Sequence, residues 1–168
     1  MASFLDAEQE ALAQEIAALL TQRGETVCVA EGTTGGLVSA ALLSVPGASR
    51  YYAGGGVLYT RKSRAALAGV AAELLANYSG TTAELMAATA EAMRARLEAT
   101  WCIAESGVAG PTGGRSGQPP GRTLISIAGP SSRSDVIETG LTDRAANMVE
   151  FATRSLRLLR DTIREAGA

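Results

Sequence analysis

The chain has 168 residues, a formal net charge of -2, 46% hydrophobic and 19% charged residues, the profile of one globular domain able to bury a core without disulfides or metal. That balance supplies no basic face for a phosphate backbone, which argues against nucleic acid as a partner. The chain also contains no histidine, which excludes Ser-His-Asp and Cys-His catalysis and histidine-bearing zinc sites within one chain, so no metal is expected.

The first twenty residues, MASFLDAEQEALAQEIAALL, lack a positively charged start and an uninterrupted apolar run, so a cytoplasmic protein without membrane contact is expected. Asp6 with Gln9 reads as an N-cap and its reciprocal partner, and Leu5, Leu12, Ile16 and Leu19 share a helical face until Gly24, which predicts a helix over 6–23. Val27 to Ala30 reads as a buried strand and 35–44 as a second helix, stopped before Pro46. Gly55 to Tyr59 is the next expected strand, and 61–68 a short helix ended by Gly69.

Thr81 with Glu84 suggests a capping box opening a helix whose face carries Met86, Ala90, Met93 and Leu97. Strands are expected at 101–104, 123–128 and 136–139, and a last helix at 144–165 with Val149, Ala152, Leu156, Leu159 and Ile163 on one face. Helices alternating with short buried strands imply a layered α/β domain with a mostly parallel sheet. Cys28 and Cys102 lie inside the apolar runs VCVA and WCIA and read as buried structural thiols.

Two glycine-rich loops leave the ends of expected strands. In AEGTTGG, residues 30–36, glycines let the backbone approach a ligand and the amides of Thr34, Gly35 and Gly36 converge on an anion or an amide oxygen, with Gly32 as backbone lining. The second, SGVAGPTGG, residues 106–114, places Ser106, Gly107, Gly110 and Gly113 against the same sheet edge, where open α/β sheets bind ligands. Between them Tyr59 and Arg64 are able to face that pocket.

Together AEGTTGG, GGGVLYT, SGVAGPTGG and the GLTDR segment from Gly140 to Arg144 resemble the CinA C-terminal domain family, whose active members are PncC-type nicotinamide-nucleotide amidohydrolases. The resemblance covers almost the whole chain and implies a single domain over residues 1–168. It implies a three-layer α/β/α sandwich with a mixed, mostly parallel five-stranded sheet. The implied reaction is hydrolysis of the nicotinamide mononucleotide carboxamide to nicotinate mononucleotide and ammonia, with no cofactor. The family's first loop usually reads AES-x-TGG, with the Ser as nucleophile and a Lys after a TYSN-like segment as its base. Here those positions hold Gly32 and Arg64. A guanidinium does not shed its proton near neutral pH, and glycine offers no nucleophile.

Glu105, where relatives tend to have an apolar residue, and Glu31, retained from the motif, are the candidate replacement bases; Thr33 is the candidate hydroxyl and Tyr59 a further catalytic candidate. Bracing of the loop by backbone N–H bonds is the other role open to Glu31. Arg144 is expected to bind the phosphate of a nucleotide. Three functions remain open: a protein that keeps the pyridine-nucleotide pocket without the Ser-Lys chemistry, an amidohydrolase using Thr33 or a Glu-activated water, and an oligomeric interaction module without ligand. In each a homo-oligomer, dimer or higher, is expected.

Overall fold

A computed structural model describes residues 3–76 and 78–167. Helix α1 (Ala7–Arg23) opens on the expected capping box, with Gln9 N donating to Asp6 Oδ1 at 2.8 Å and Asp6 N donating to Gln9 Oε1 at 3.4 Å. It closes on Gly24 at φ 64°. Strand β1 (Val27–Glu31) leads through the first glycine loop into α2 (Leu37–Leu43), and a single 3-10 turn (Ala48–Arg50) precedes β2 (Tyr52–Val57). Helix α3 (Arg61–Ser63) passes into a π-helical turn (Arg64–Ala68), followed by α4 (Ala72–Ala76) and α5 (Ala83–Arg96). Strands β3 (Trp101–Val108), β4 (Arg122–Ala128) and β5 (Arg133–Glu138) and helix α6 (Arg144–Ala166) complete the chain.

The five strands form one sheet in the order β2-β1-β3-β4-β5. β1 pairs parallel with both β2 and β3, whereas β4 pairs antiparallel with β3 and β5. β4 alone therefore runs against the other four strands, and the sheet is mixed. The carboxyl ends of β1, β2, β3 and β5, and the start of α6, consequently meet at one edge.

Strand alternation divides the core into two. Val27, Val29, Trp101, Ile103, Ile125 and Ile127 pack with residues of α1, α2 and α6 on one face. Cys28, Ala30, Cys102, Ala104, Leu124 and Ala128 pack with α4, α5 and the turn after α3 on the other. Side chains two apart on a strand share a face, so this parity also decides where the polar residues at the strand ends point. Cys28 and Cys102 are register partners, both buried and free. Burial, followed by the hydrogen bond to Cys28, pushes the Cys102 thiol well above its ordinary range.

Several boundaries differ from the sequence expectation. β2 starts at Tyr52 and ends at Val57, so Tyr59 lies beyond it; YAGGGV has no apolar periodicity, and its extended form comes from pairing with β1. β3 runs on to Val108 through polar and small residues, and β5 covers Arg133–Glu138, an exposed edge strand with little hydrophobic signal. The N-cap of α5 is Thr82, whose hydroxyl accepts from Leu85 N at 3.2 Å, rather than Thr81 with Glu84. Val149 and Leu97, expected on buried helical faces, are 43% and 37% exposed. On α6 Ala152, Leu156, Leu159 and Ile163 are buried as expected, and Asn147, Phe151, Ser155 and Leu158 join them.

Candidate functional site

Two carboxylates organise the first glycine loop from the α1/α2/α6 face of the sheet. Glu31 ends β1 and is 1% exposed. It accepts from the Thr34 hydroxyl at 2.7 Å and from the amides of Gly36 at 2.8 Å, Val38 at 3.1 Å and Ser39 at 2.8 Å. These are the otherwise unpaired donors at the start of α2, so Glu31 caps that helix from below the sheet edge. The turn that allows it passes through Gly35 and Gly36 at φ 64° and 105°, a region side-chain-bearing residues avoid.

Glu105, on β3, is 2% exposed and lies on the same face. Its oxygens accept from Thr34 N at 2.9 Å, from the Thr34 hydroxyl at 3.1 Å and from the Thr123 hydroxyl at 2.5 Å. Burial raises its pKa above the ordinary carboxylate value, while the bonds from Thr123 and Thr34 pull in the opposite direction. Two amides expected to face a ligand are thus spent inside the protein: Thr34 N on Glu105 and Gly36 N on Glu31. Of the three, Gly35 N alone has no acceptor among the described residues. Buried carboxylates compete for loop amides better than a solvent-facing ligand; the loop-bracing role open to Glu31 from the sequence is the one its bonds display, whereas the bond from Thr34 N to Glu105 is one the sequence does not announce.

Thr33 is 5% exposed, and its hydroxyl oxygen accepts from Gly107 N at 2.6 Å, stitching the two glycine loops together. Its side chain also lies within hydrogen-bonding reach of Glu105, where, against the upward push of burial, it acts with Thr123 and Thr34 to lower that carboxyl's pKa.

The opposite face carries a different cluster. Arg64, at the head of the π-helical turn, is 3% exposed. Its Nε donates to the Leu58 carbonyl at 3.3 Å, its Nη2 donates to Ser106 Oγ at 2.6 Å, and the guanidinium lies 5.4 Å from the centre of the Tyr78 ring. The Thr81 hydroxyl, freed from capping because Thr82 does that work, donates to Ser106 Oγ at 3.4 Å and lies 3.2 Å from the Tyr78 hydroxyl. Among the described residues no carboxylate pairs with Arg64.

Gly32 backs directly onto this cluster. A Cβ built there meets the Glu105 carbonyl oxygen at 2.9 Å and Ser106 Cβ and Oγ at 3.0 Å each. The space a side chain at position 32 would need is therefore occupied by Ser106.

At the rim, Tyr59 is 62% exposed and its hydroxyl accepts from Arg144 Nη2 at 3.3 Å, while Arg144 Nη1 donates to the Gly110 carbonyl at 3.0 Å. Arg144 thus ties the second glycine loop to the segment after β2. Asn147, fully buried one turn along α6, donates to the carbonyls of Ala109 at 2.8 Å and Leu141 at 2.9 Å and accepts from the Thr139 hydroxyl at 2.6 Å. Gly113 lies farther out, in the turn where Gly114 N donates to the Gln118 carbonyl. A concavity of about 640 Å³ between β5 and the start of α6, bordered by Leu141, Ala145 and Val149, shares no residue with the Arg64 cluster.

Sequence reasoning missed Tyr78, Thr81, Thr123 and Asn147. Thr81 reads as a cap from the sequence, and nothing local in the sequence marks Tyr78, Thr123 or Asn147. Among the described residues no group of three or more Cys, Asp and Glu is placed to hold a metal, and no helix is long and apolar enough to cross a membrane.

A family model described as CinA C-terminal domain matches residues 9–163. A CinA-like protein of Prochlorococcus marinus (strain MIT 9313) is 46% identical over 123 residues, covering 73% of this chain and 29% of that protein. A CinA-like protein of Gloeobacter violaceus is 40% identical over 124 residues, covering 74% of this chain and 29% of that protein. The chain therefore matches about three tenths of the length of these relatives. Among solved structures, the competence/damage inducible protein CihA of Agrobacterium tumefaciens superposes with a TM-score of 0.88 at 26% identity, covering 94% of this chain and 97% of that one. The competence damage-inducible protein A of Klebsiella pneumoniae gives 0.87 at 25% identity, covering 93% and 97%. With its strand order, its two loops at one sheet edge and these matches agreeing, the chain belongs to the CinA C-terminal domain family.

Proposed function

We propose that this chain is a binding member of the family, holding a pyridine mononucleotide at the Arg64 edge of the sheet without hydrolysing its amide. The carrying observation is the pairing of Gly32 with Ser106. Where the family resemblance places the nucleophile there is no side chain, and a neighbouring serine fills that volume.

No base stands against Ser106, the hydroxyl nearest the position of the missing nucleophile. Ser106 Oγ accepts from a guanidinium and a threonine hydroxyl, neither of which withdraws a proton near neutral pH. Glu105 and Glu31 lie on the other face of the sheet, committed to loop donors. An active amidohydrolase working through Thr33 or a Glu-activated water would need one of those carboxylates to leave its bonds. Support for ligand binding comes from Arg64, a buried cation without a carboxylate partner among the described residues, and from the rim guanidinium of Arg144.

The test pairs two measurements on the purified chain: ammonia release from nicotinamide mononucleotide, and calorimetric titration with nicotinamide and nicotinate mononucleotides. Binding heat with ammonia at buffer level is expected. Saturable ammonia release would overturn the non-catalytic reading, and no heat with either nucleotide would leave an interaction module without ligand. Sedimentation of the same sample addresses the proposed homo-oligomer.

A further inference from the structure

We propose that the Arg64 cluster is built for a carboxylate, so that the site prefers the acid form of its pyridine ligand over the carboxamide; this deepens the nucleotide reading above and rests on it. Donors outnumber acceptors around this side chain. A guanidinium carries five N–H groups. In Arg64 one is used on the Leu58 carbonyl and one on Ser106 Oγ, and the rest have no acceptor among the described residues. Ser106 Oγ already accepts from Arg64 and from Thr81, and its own proton has no acceptor among the described residues. The row of hydroxyls through Thr81 therefore ends on an O–H beside an unspent guanidinium edge.

Among the described residues no carboxylate answers that excess. Arg64 is 3% exposed, and a cation buried to that degree is costly unless an anion or full hydrogen bonding completes it. The carboxylates on the adjoining strands, Glu31 and Glu105, project to the opposite side of the sheet, where Thr34, Gly36, Val38, Ser39 and Thr123 consume them. The ring of Tyr78 lies against one side of the guanidinium.

A carboxylate fits that edge because it is planar, anionic and accepts at both oxygens without donating. It takes two guanidinium N–H groups in parallel, and the Ser106 proton as a third bond. A carboxamide presents one accepting oxygen, and its NH2 meets N–H donors. Sites built from buried hydrogen-bonding groups discriminate strongly against a ligand that leaves them unpaired.

The experiment is calorimetry of the full chain with nicotinate mononucleotide against nicotinamide mononucleotide, beside thermal-shift titrations with nicotinate, nicotinamide and inorganic phosphate. The acid mononucleotide is expected to bind at least about tenfold more tightly than the amide. Arg64→Lys, which keeps the charge but loses the parallel pair of N–H groups, should narrow that preference, and Arg64→Met should abolish it. If Arg64→Met does not fold, Ser106→Ala serves instead and should narrow the preference. Equal or stronger binding of the amide overturns the proposal while leaving the nucleotide reading intact, and stabilisation by phosphate as large as that by the acids overturns the choice of carboxylate. If neither mononucleotide binds, the nucleotide reading falls; stabilisation by nicotinate but not nicotinamide then upholds the carboxylate site, and stabilisation by neither overturns it.

Discussion

Replacing Gly32 by Ser would restore the residue found in the family motif, and the structure says the protein resists it. The added Cβ falls 2.9 Å from the Glu105 carbonyl oxygen and 3.0 Å from both Cβ and Oγ of Ser106. One of these neighbours is backbone in the central strand β3, and Ser106 is held by Arg64 at 2.6 Å, so the strain has no flexible outlet. Overpacking of this kind costs about 1–3 kcal/mol, which for a chain of this length lowers Tm by roughly 2–12 °C. Trimming Ser106 to Gly in the same chain removes two of the three close contacts. The two substitutions should therefore be non-additive, the double variant being more stable than the sum of the singles by about 1 kcal/mol or more. A urea-denaturation cycle over the four proteins measures this directly. It follows that Gly32→Ser with Arg64→Lys, which rebuilds the motif pair on paper, should release no ammonia from nicotinamide mononucleotide until Ser106 is also trimmed. A Gly32→Ser protein as stable as the parent, or strictly additive substitutions, would refute the idea that Ser106 and the Glu105 carbonyl crowd out a side chain at position 32.

Glu105 gives a pH-dependent test. Burial raises its folded pKa above the ordinary value of 4.5, so the folded state favours the protonated acid. Its stabilising contribution is present below pH 4.5 and is lost as pH rises through the raised folded value. Relative to Glu105→Gln, the natural protein should lose Tm as pH is raised upward from 4.5; a difference that is flat or grows would contradict that assignment. Glu31→Gln leaves one accepting oxygen for donors now shared by Thr34, Gly36, Val38 and Ser39. It should cost about 1–3 kcal/mol and speed amide exchange at Gly36, Val38 and Ser39 before the rest of the sheet. Asn147→Ala leaves the carbonyls of Ala109 and Leu141 without their side-chain donor. A loss of about 1–3 kcal/mol in urea titration is expected, and an unchanged midpoint would remove Asn147 from the support of the second loop.

The core elements were legible because their signals are local. Val27 to Ala30 and Thr123 to Ala128 are apolar runs buried on both sides, and α1 carries its capping box in four residues. β2 and β5 were placed less well because edge strands owe their form to a neighbour: YAGGGV and RSDVIE are half-exposed or exposed along most of their length. The site divided in the same way. Which residues stand at the sheet edge follows from motif order, whereas which donors are already spent depends on contacts between residues some seventy positions apart, such as Thr34 with Glu105 and Thr33 with Gly107.

Strand parity explains why neither remaining carboxylate reaches the Ser106 hydroxyl. Glu105 and Ser106 are neighbours in sequence, yet on an extended strand they must point to opposite faces. Glu105 joins Thr34 and Thr123 beneath the first loop, and Ser106 joins Arg64 and Thr81 on the α5 side. Bringing the carboxylate to the hydroxyl would require a one-residue register slip in β3, reversing every side chain from Trp101 to Val108 across two packed cores. The sheet that gives the two loops their common edge therefore also keeps acid and hydroxyl apart. What it leaves together is a buried guanidinium and a serine proton, a pair suited to holding an anion and unsuited to making a nucleophile.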